Sequence, residues 1–316
     1  MFSRQFNQIR IDLSITPKGP LLIRRGRTGA DPTRPDLECV RTSLDGRETV
    51  YVPGSSLKGV MRSHAESLLK TEGLAITDTF SRTAPQAFRQ GVEGAEAYSG
   101  TCPLGRTFGN LHVKGRVGIS DLLPGGRDPD GSPERAAQID AANAVEQRNG
   151  VAIDRLLGSA KGGALFDQEV VVQGRFDGEI HLRNVQLYQL ALVLLVLRDM
   201  RDGWVSLGSS TTRGGGRITA KIHSVLIEFP KSQIAQKEGG QLPGLASLWQ
   251  DPAAQSYKLF RGDIMELPSG MTLEDYWIRQ RLLLEGDDAI DSFAMALVQG
   301  PWLQFLDQAR GQEWVA

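Results

Sequence analysis

The stretch VPGSSLKGVMR at positions 52–62 decides how the first part of the chain folds. It begins at the end of a short strand-like run, turns at Pro-Gly, and continues into a region where Leu57, Met61 and Leu68 recur at helical spacing. This spacing predicts a helix over residues 56–70. A strand, a tight turn and a helix are therefore expected to follow one another here.

The start of this helix is predicted to bind phosphate. The first N–H groups of a helix have no partner within it, and the helix dipole favours an anion at that end. Ser55 or Ser56 is expected to be the N-cap, and Lys58 and Arg62 would add positive charge one turn apart. The alternative is an ordinary capped helix with a solvated basic stripe.

A second motif, LGSSTTRGGGR at positions 207–217, is rich in glycine and arginine. Consecutive glycines let a backbone approach a ligand closely, and Arg213 and Arg217 supply bidentate donors for phosphate. The motif lacks the Walker spacing and precedes a strand rather than a helix, which excludes a dinucleotide fingerprint. A simple bend is the alternative. We expect the two motifs to lie side by side as one cationic cradle for a nucleic-acid strand.

Hydrophobic patterning predicts the remaining core elements outward from these motifs. Alternation predicts half-buried strands, and a long apolar run predicts a buried helix. The predicted strands are 5–15, 49–52, 116–123, 168–173, 178–183, 204–207 and 217–229, with 168–183 forming a hairpin, and the predicted helices are 56–70 and 186–200. The core order of strand, helix, strand, strand, helix, strand is the ferredoxin-like (RRM-like) βαββαβ arrangement of an α+β fold.

The composition is that of an ordinary globular protein, with 40% hydrophobic and 23% charged residues among 316. The longest apolar run, 187–197, is too short to span a bilayer, so no membrane partner is expected. Cys39 and Cys102 have no partners at metal-binding spacing. Their isolation argues against structural zinc and against a disulfide framework, and it fits a reducing cytoplasm.

The charge distribution divides the chain into two parts. Residues 1–231 carry 30 basic and 25 acidic side chains, whereas residues 232–316 carry the remaining 6 basic and 12 acidic ones. We interpret the first part as one domain, with insertions at about 72–166, whose mildly basic surface suits a polyanion. The alternative is a chance segregation of charge on solvated surfaces. The second part is predicted to be a helical C-terminal extension, with helices over Leu273–Leu284 and Ile290–Leu306.

Several motifs together resemble the RAMP superfamily of CRISPR-associated proteins, over roughly residues 5–228. They are the helix opening PGSSLKG at 53–59, the glycine-rich loop at 207–217, FGN at 108–110 followed by GRV at 115–117 and Asp121, and IDR at 153–155 leading into 159–166. The last of these resembles the family's thumb, which wedges between guide nucleotides. Within the family, the chain is most similar to the repeated backbone subunit of type III effectors, the Cas seven group.

The resemblance implies an antiviral ribonucleoprotein in which this subunit binds guide RNA (crRNA) and cleaves complementary target RNA. The partners implied are guide RNA, target RNA and other effector subunits, including neighbouring backbone subunits. The family's cutting residue is an aspartate upstream of the Pro-Gly-Ser-Ser turn, which points first to Asp36 and second to Asp31. A divalent metal (Mg or Mn) would be held by Asp36.

Basic residues around this loop would stabilise charge on the phosphate. The predicted RNA-binding residues are Arg24, Arg25, Arg27, Arg34, Ser55, Ser56, Lys58, Arg62, Arg155, Arg213 and Arg217. Phe166 is a further candidate, either for base stacking or as a core residue.

Two other functions stay open. One is a structural or cap subunit that binds RNA without cutting it, in which Asp31 and Asp36 are turn residues. The other is a CRISPR repeat-processing endoribonuclease, which commonly uses a histidine as general acid or base. The histidines are scattered, and His64, on the apolar face of its helix, is expected to be a satisfied core residue.

Overall fold

The structure, a computed structural model, describes residues 3–26, 35–77, 94–154, 156, 158–231 and 240–314. Its strands are β1 (Gln8–Pro17), β2 (Arg41–Leu44), β3 (Arg47–Val50), β4 (Val117–Ile119), β5 (Leu123–Pro124), β6 (Glu146–Ile153), β7 (Ala160–Val170), β8 (Phe176–Arg183), β9 (Ile218–Pro230), β10 (Gln241–Pro243), β11 (Ile264–Glu266), β12 (Glu274–Tyr276) and β13 (Arg279–Glu285). Its helices are α1 (Gly54–Thr71), α2 (Gly94–Gly100), α3 (Pro103–Phe108), α4 (Pro133–Asn143), α5 (Leu187–Arg201), α6 (Leu245–Leu248), α7 (Asp287–Leu297) and α8 (Leu303–Ala309).

A seven-stranded antiparallel sheet forms the centre of the structure, in the order β12-β13-β9-β1-β8-β4, with β5 also paired to β8. Strand β1 lies between β8 and β9 and pairs with both. Its alternating residues Ile9, Ile11, Leu13 and Ile15 are buried, as the period of two predicts. The predicted α+β class, with antiparallel sheets, is confirmed.

Helices α1, α5 and α7 pack beside one another against this sheet, with α5 in contact with both of the others. Helix α5 is buried on nearly all sides, which explains why its sequence is apolar without a polar face. The predicted helices over 56–70, 186–200 and 290–306 correspond to α1, α5 and the α7–α8 segment. A π-helical turn over Val298–Trp302, which contains Pro301, joins α7 to α8. Within the described part of the chain, every helix is too short or too polar to cross a bilayer.

The hairpin predicted over 168–183 is wrong. Strand β7 pairs with β6 in a separate two-stranded sheet, whereas β8 pairs with β1, β4 and β5. Alternation shows that a segment is a strand, but it does not identify the partner strand. In the folded chain, β8 takes the central position beside β1 because its buried face completes the core there.

The helix predicted over Leu273–Leu284 is also wrong. This segment forms the β12–β13 hairpin, and β13 extends the main sheet by pairing with β9. Leu282 and Leu284 are buried while Leu283 is largely exposed. Three consecutive leucines fit the period of a helix and that of a strand, so the local pattern does not choose between them. The segment forms a strand because it pairs with an edge of β9 that would otherwise be free.

The C-terminal segment packs into the same hydrophobic core as the main sheet. Phe305 of α8 stacks on Tyr188 of α5, with ring centroids 4.0 Å apart and planes 10° apart. Trp314 and Phe260 lie close to the buried guanidinium of Arg106 in α3. Residues far apart in sequence are therefore held in one aromatic cluster around an arginine.

Candidate nucleic-acid interface

The glycine-rich loop folds back onto the segment that follows β1. Ser209 N donates to Leu22 O at 2.8 Å, and Gly216 N donates to Pro20 O at 2.7 Å. A Cβ at Gly208 would lie well inside van der Waals contact with the Leu22 carbonyl. The glycines therefore allow two backbone segments of the chain to pack together. From the sequence, this close approach was expected to be to a ligand.

Alanine substitutions at two glycines of this loop separate packing from backbone conformation. Gly208 and Gly214 have similar positive φ angles, of 85° and 81°, but only Gly208 is packed against backbone, and the space around Gly214 is open. We expect Gly214→Ala to lower the free energy of unfolding by about 1–2 kcal/mol through its φ angle alone. Gly208→Ala should cost at least about 2 kcal/mol more, because the Leu22 carbonyl must move. Equal losses in urea unfolding of the two variants would contradict this assignment.

Folding back in this way leaves the arginines of the loop exposed at its surface. Ser210 adopts a left-handed conformation, φ 62°, and a single 3-10 turn over Thr211–Arg213 follows. Arg213 and Arg217 are both exposed. The guanidinium groups predicted to bind phosphate are thus on the solvent side of the loop.

The β6–β7 hairpin forms the opposite wall of a polar cavity of about 250 Å³. Arg213, Ser209 and Ser210 line the cavity from the glycine-rich loop, and Arg148 and Phe166 line it from the hairpin. Arg148 is absent from the sequence prediction. Residues 133–152 show no alternation that would predict a strand or the face of the strand on which Arg148 lies. The structure brings a second arginine to the same cavity as Arg213.

Phe166 has a defined position on this hairpin. It lies opposite Gly150 in the β6–β7 register. A side chain at Gly150 would collide with the Phe166 ring, so the ring lies across the glycine. An aromatic ring lying on a cross-strand glycine is a known means of stabilising a β-hairpin. The half-buried ring lines the cavity, where a nucleobase could stack on it.

Asp36 lies at the base of the same hairpin. Its Oδ2 accepts a hydrogen bond from Asp167 N at 3.2 Å, and Leu37 N donates to Asp167 O at 3.0 Å. The chain then runs beside β7, where Glu169 N donates to Leu37 O. The Asp36 carboxylate is exposed, so it is accessible to a ligand passing along the hairpin.

The basic residues predicted near Asp36 are only partly within the described structure. Arg24 and Arg25 are exposed, and Arg25 lies 3.8 Å from the Glu38 carboxylate. The predicted residues Arg27, Asp31, Arg34 and Arg155 lie outside the described residues.

The buried thiol near this segment is chemically inert. Burial, with the neighbouring Glu169 carboxylate, raises the pKa of Cys39 to about 12. Glu169 accepts a hydrogen bond from Cys39 N at 2.9 Å and another from Arg41. Glu169 and Arg41 hold the 36–41 segment against β7, while burial and the Glu169 carboxylate keep the thiol protonated at neutral pH.

The start of α1 is occupied by a carboxylate of the chain itself. The residue before the helix is Pro53, so the predicted serine N-cap is wrong, and no side chain caps the helix from that position. Asp121 accepts the Gly54 N–H at 2.8 Å instead. Ser55 is exposed and Ser56 half-buried.

The two cations of α1 donate hydrogen bonds to main-chain carbonyls of the chain itself. The Lys58 ammonium donates to Val117 O at 2.9 Å, and Arg62 donates to Gly109 O. Burial, and then the charge of Arg62, lower the pKa of Lys58. The structure thus places Lys58 at β4 and Arg62 at the end of α3, whereas Arg213 lines the cavity beside the β6–β7 hairpin, whose lining includes neither of the other two.

The donor set at Asp36 suits a hard divalent ion shared with a substrate. Mg²⁺ is commonly held by one or two carboxylates, with substrate phosphates and waters completing the shell. Asp36 offers one exposed carboxylate next to Asp167. Among the described residues, no group of three or more His, Cys, Asp or Glu side chains is arranged as a metal site.

His64, His181 and His223 each have a polar partner within the described fold, and His181 Nε2 lies 2.9 Å from Glu179 Oε2. His64 Nε2 lies 2.7 Å from Asp199 Oδ2, which confirms the prediction of a satisfied histidine. His223 Nε2 lies 2.9 Å from Ser14 Oγ. Burial and nearby cations lower the pKa of His223 to about 4, so it is neutral at physiological pH.

Comparison with known proteins places the chain in a family. A family model described as the RAMP superfamily matches residues 14–219, about two-thirds of the chain. A search of curated proteins gave no match. The matched region contains the end of β1, all of α1, β8 and α5, and both loops described above. The chain therefore belongs to the RAMP superfamily, whose members are associated with CRISPR systems and with RNA binding.

Proposed function

We propose that the chain is a backbone subunit of a type III CRISPR effector complex and that it binds guide RNA. The cavity between the glycine-rich loop and the β6–β7 hairpin carries this proposal. It combines Arg148 and Arg213 with the Phe166 ring, which supplies charge for phosphates and a surface for a base. Residues 1–231 would form the RNA-binding domain, and residues 232–316 its extension.

The arrangement of the central strands supports a ferredoxin-like core. The strands β9-β1-β8-β4 are adjacent in that order and all antiparallel. Helix α1 lies between β1 and β4 in the chain, and α5 between β8 and β9. This is the connectivity expected of a βαββαβ unit. In the same proposal, the β6–β7 hairpin is the thumb.

RNA binding by such a surface is expected to be largely independent of sequence. Arg213, Arg217 and Arg148 would contact phosphates, which position the strand without reading its bases. Phe166 would stack on one base, whatever its identity. Target specificity would then come from base pairing with the guide.

Salt dependence of RNA affinity tests the proposed interface. Each lost phosphate contact reduces the slope of log affinity against log salt by about 0.7 for a single strand. We expect Arg213→Gln and Arg148→Gln each to weaken binding of single-stranded RNA and to reduce the slope by about this amount, as measured by fluorescence anisotropy. Lys58→Gln, measured alongside, tests whether the basic residues of α1 contact the same RNA strand.

Arg310→Gln is the matched control. Arg310 is an exposed arginine paired with Glu72 at 3.0 Å, at the C-terminal end of α1. Its replacement should leave the salt slope unchanged. If Arg213→Gln and Arg148→Gln behave like this control, the proposed interface is wrong.

We further propose that the subunit cleaves target RNA with Asp36, and that Asp31 is the second candidate. A bound divalent metal would supply positive charge at the scissile phosphate. The exposed Asp36 carboxylate would hold this ion or accept the proton of the attacking ribose 2′-hydroxyl. A second candidate function is a backbone or cap subunit that binds RNA without cutting it. The hydrogen bond that Asp36 Oδ2 accepts from Asp167 N favours it, because that bond gives the carboxylate a structural role.

A further inference from the structure

The turn between β12 and β13 projects two large apolar side chains into solvent. Tyr276 pairs with Arg279, so Trp277 and Ile278 form a two-residue turn. The exposed fractions are 86% for Trp277 and 81% for Ile278. Adjacent exposed side chains of this size commonly mark a contact with another molecule.

The backbone conformation of this turn is unusual for the residue that occupies it. Trp277 has φ 54°, in the left-handed region, which is costly for a bulky residue and favours glycine. The chain has a second two-residue turn, between β2 and β3, and there the positive φ angles belong to Asp45 and Gly46. Those residue types suit such a turn. Folding of the single chain therefore does not account for tryptophan at position 277.

An apolar groove of about 420 Å³ lies between α5, β9 and α7. Its wall includes Ile222 from β9, Ile290 and Met295 from α7, and Leu194 from α5. Met295 is 57% exposed, and methionine adapts readily to the shape of a partner. The volume lies within the range of ordinary binding pockets.

The turn and the groove lie at opposite ends of one strand. The groove contains Thr219 and Ile222, near the start of β9, whereas Lys231, just beyond its end, donates its N–H to Ile278 O. At about 3.3 Å per residue, the two ends are roughly 35 Å apart. One molecule cannot insert its own turn into its own groove, but a second copy can.

We propose that the Trp277-Ile278 turn of one copy docks into the α5–α7 groove of the next, head to tail. This is a heterologous contact, in which each copy offers a different surface. Several charged residues beside the two surfaces are paired within the chain, as Lys231–Asp275, Arg281–Glu274 and Arg201–Asp291. Two more, Lys221 and Asp287, line the groove and have opposite signs. Pairing of the first three would limit the cost of burying charge on docking.

The proposal deepens the backbone role and rests on it, since it names the contact between neighbouring subunits. The docking turn and the α7 wall of the groove lie beyond residue 219, where the match to the family ends. The contact would thus be a property of this chain's C-terminal segment.

Sedimentation velocity of the chain without RNA tests the proposal. We expect association to increase with concentration for the native sequence. The double variant Trp277→Gly/Ile278→Asn should be monomeric, and its thermal stability should be equal or higher, because glycine relieves the left-handed φ. Met295→Lys should also be monomeric, because it places a charge in the groove. An equimolar mixture of the two variants should form a 1:1 dimer that grows no further, since one variant keeps an intact groove and the other an intact turn.

Matched controls place apolar-to-polar changes elsewhere. Leu303→Lys and Leu111→Ser alter side chains that are 51% and 80% exposed, outside both surfaces, and should associate like the native chain. A native chain that stays monomeric, variants that associate normally, or a mixture without dimers would each overturn the proposal. RNA affinity of the Trp277→Gly/Ile278→Asn variant is measured separately, so failure of the RNA-binding proposal is distinguishable from failure of this contact.

Discussion

Replacing Arg106 by alanine is expected to lower the free energy of unfolding by about 3–5 kcal/mol. Its side chain is 1% exposed and donates to main-chain carbonyls from two distant parts of the chain. The acceptors are Tyr98 at 3.1 Å, Ser99 at 2.8 Å, Thr101 at 2.8 Å and Lys258 at 3.2 Å. Truncation would leave these carbonyls without their donor, and each buried unsatisfied group costs about 1–3 kcal/mol.

Aromatic rings complete the surroundings of this guanidinium. The rings of Tyr98, Phe260 and Trp314 have centroids 5.0, 5.3 and 4.9 Å from Arg106 Cζ. A desolvated cation is attracted to such rings. Arg106→Lys should recover little of the loss, because an ammonium is smaller, holds fewer donors and lacks the planar surface that stacks on the rings.

Urea unfolding followed by tryptophan fluorescence measures this effect, since Trp314 lies against the guanidinium. The control is Arg310→Ala, which removes an exposed ion pair with Glu72 and should cost at most about 1 kcal/mol. If Arg106→Ala were no more destabilising than the control, the cluster would not hold the C-terminal segment in place.

Replacing Asp36 by alanine is expected to abolish one target cut per subunit in the assembled complex, a rate loss of at least about a hundredfold. Guide and target binding should persist, because the hydrogen bond that the carboxylate accepts from Asp167 N lies at the surface. For the same reason the folded state should lose about 1 kcal/mol or less. The readout is the number and length of target fragments.

The outcomes for the two aspartates distinguish the candidate functions. Asp307→Ala, on the exposed side of α8, is the control and should leave every cut in place. If the cut survives Asp36→Ala but is lost in Asp31→Ala, the second candidate is the catalytic residue. Cuts that survive both changes would favour a subunit that binds RNA without cutting it.

Sequence patterns predicted the elements whose periodicity is set by burial. The alternation in β1 and β9 and the apolar run of α5 match the structure because each packs against the core along its whole length. The β12–β13 hairpin was missed because its form depends on β9, more than forty residues away in the chain. Strand pairing of this kind is a property of the fold and leaves no local signal.

The candidate site was predictable in its residue types but not in its grouping. The motif at 207–217 identified Arg213, and the resemblance to the family identified Asp36. Lys58 and Arg62 donate to the carbonyls of Val117 and Gly109, and neither lines the cavity that contains Arg213. The Val117 carbonyl lies in β4 and the Gly109 carbonyl follows the end of α3, so neither contact is contained in the periodicity of α1 itself. Arg148 reaches the cavity only through its register opposite Gln168, which no local pattern contains.

The pairing of β13 with β9 has a consequence for aggregation through the edge of the main sheet. Strand β9 is thirteen residues long, and without β13 its outer row of amide and carbonyl groups would be bare. A long strand edge left unpaired can recruit other strands and seed amyloid-like aggregates. The C-terminal hairpin thus covers the edge of β9 that pairs with β13. It makes β12, a short strand with charged side chains, the edge strand of the sheet.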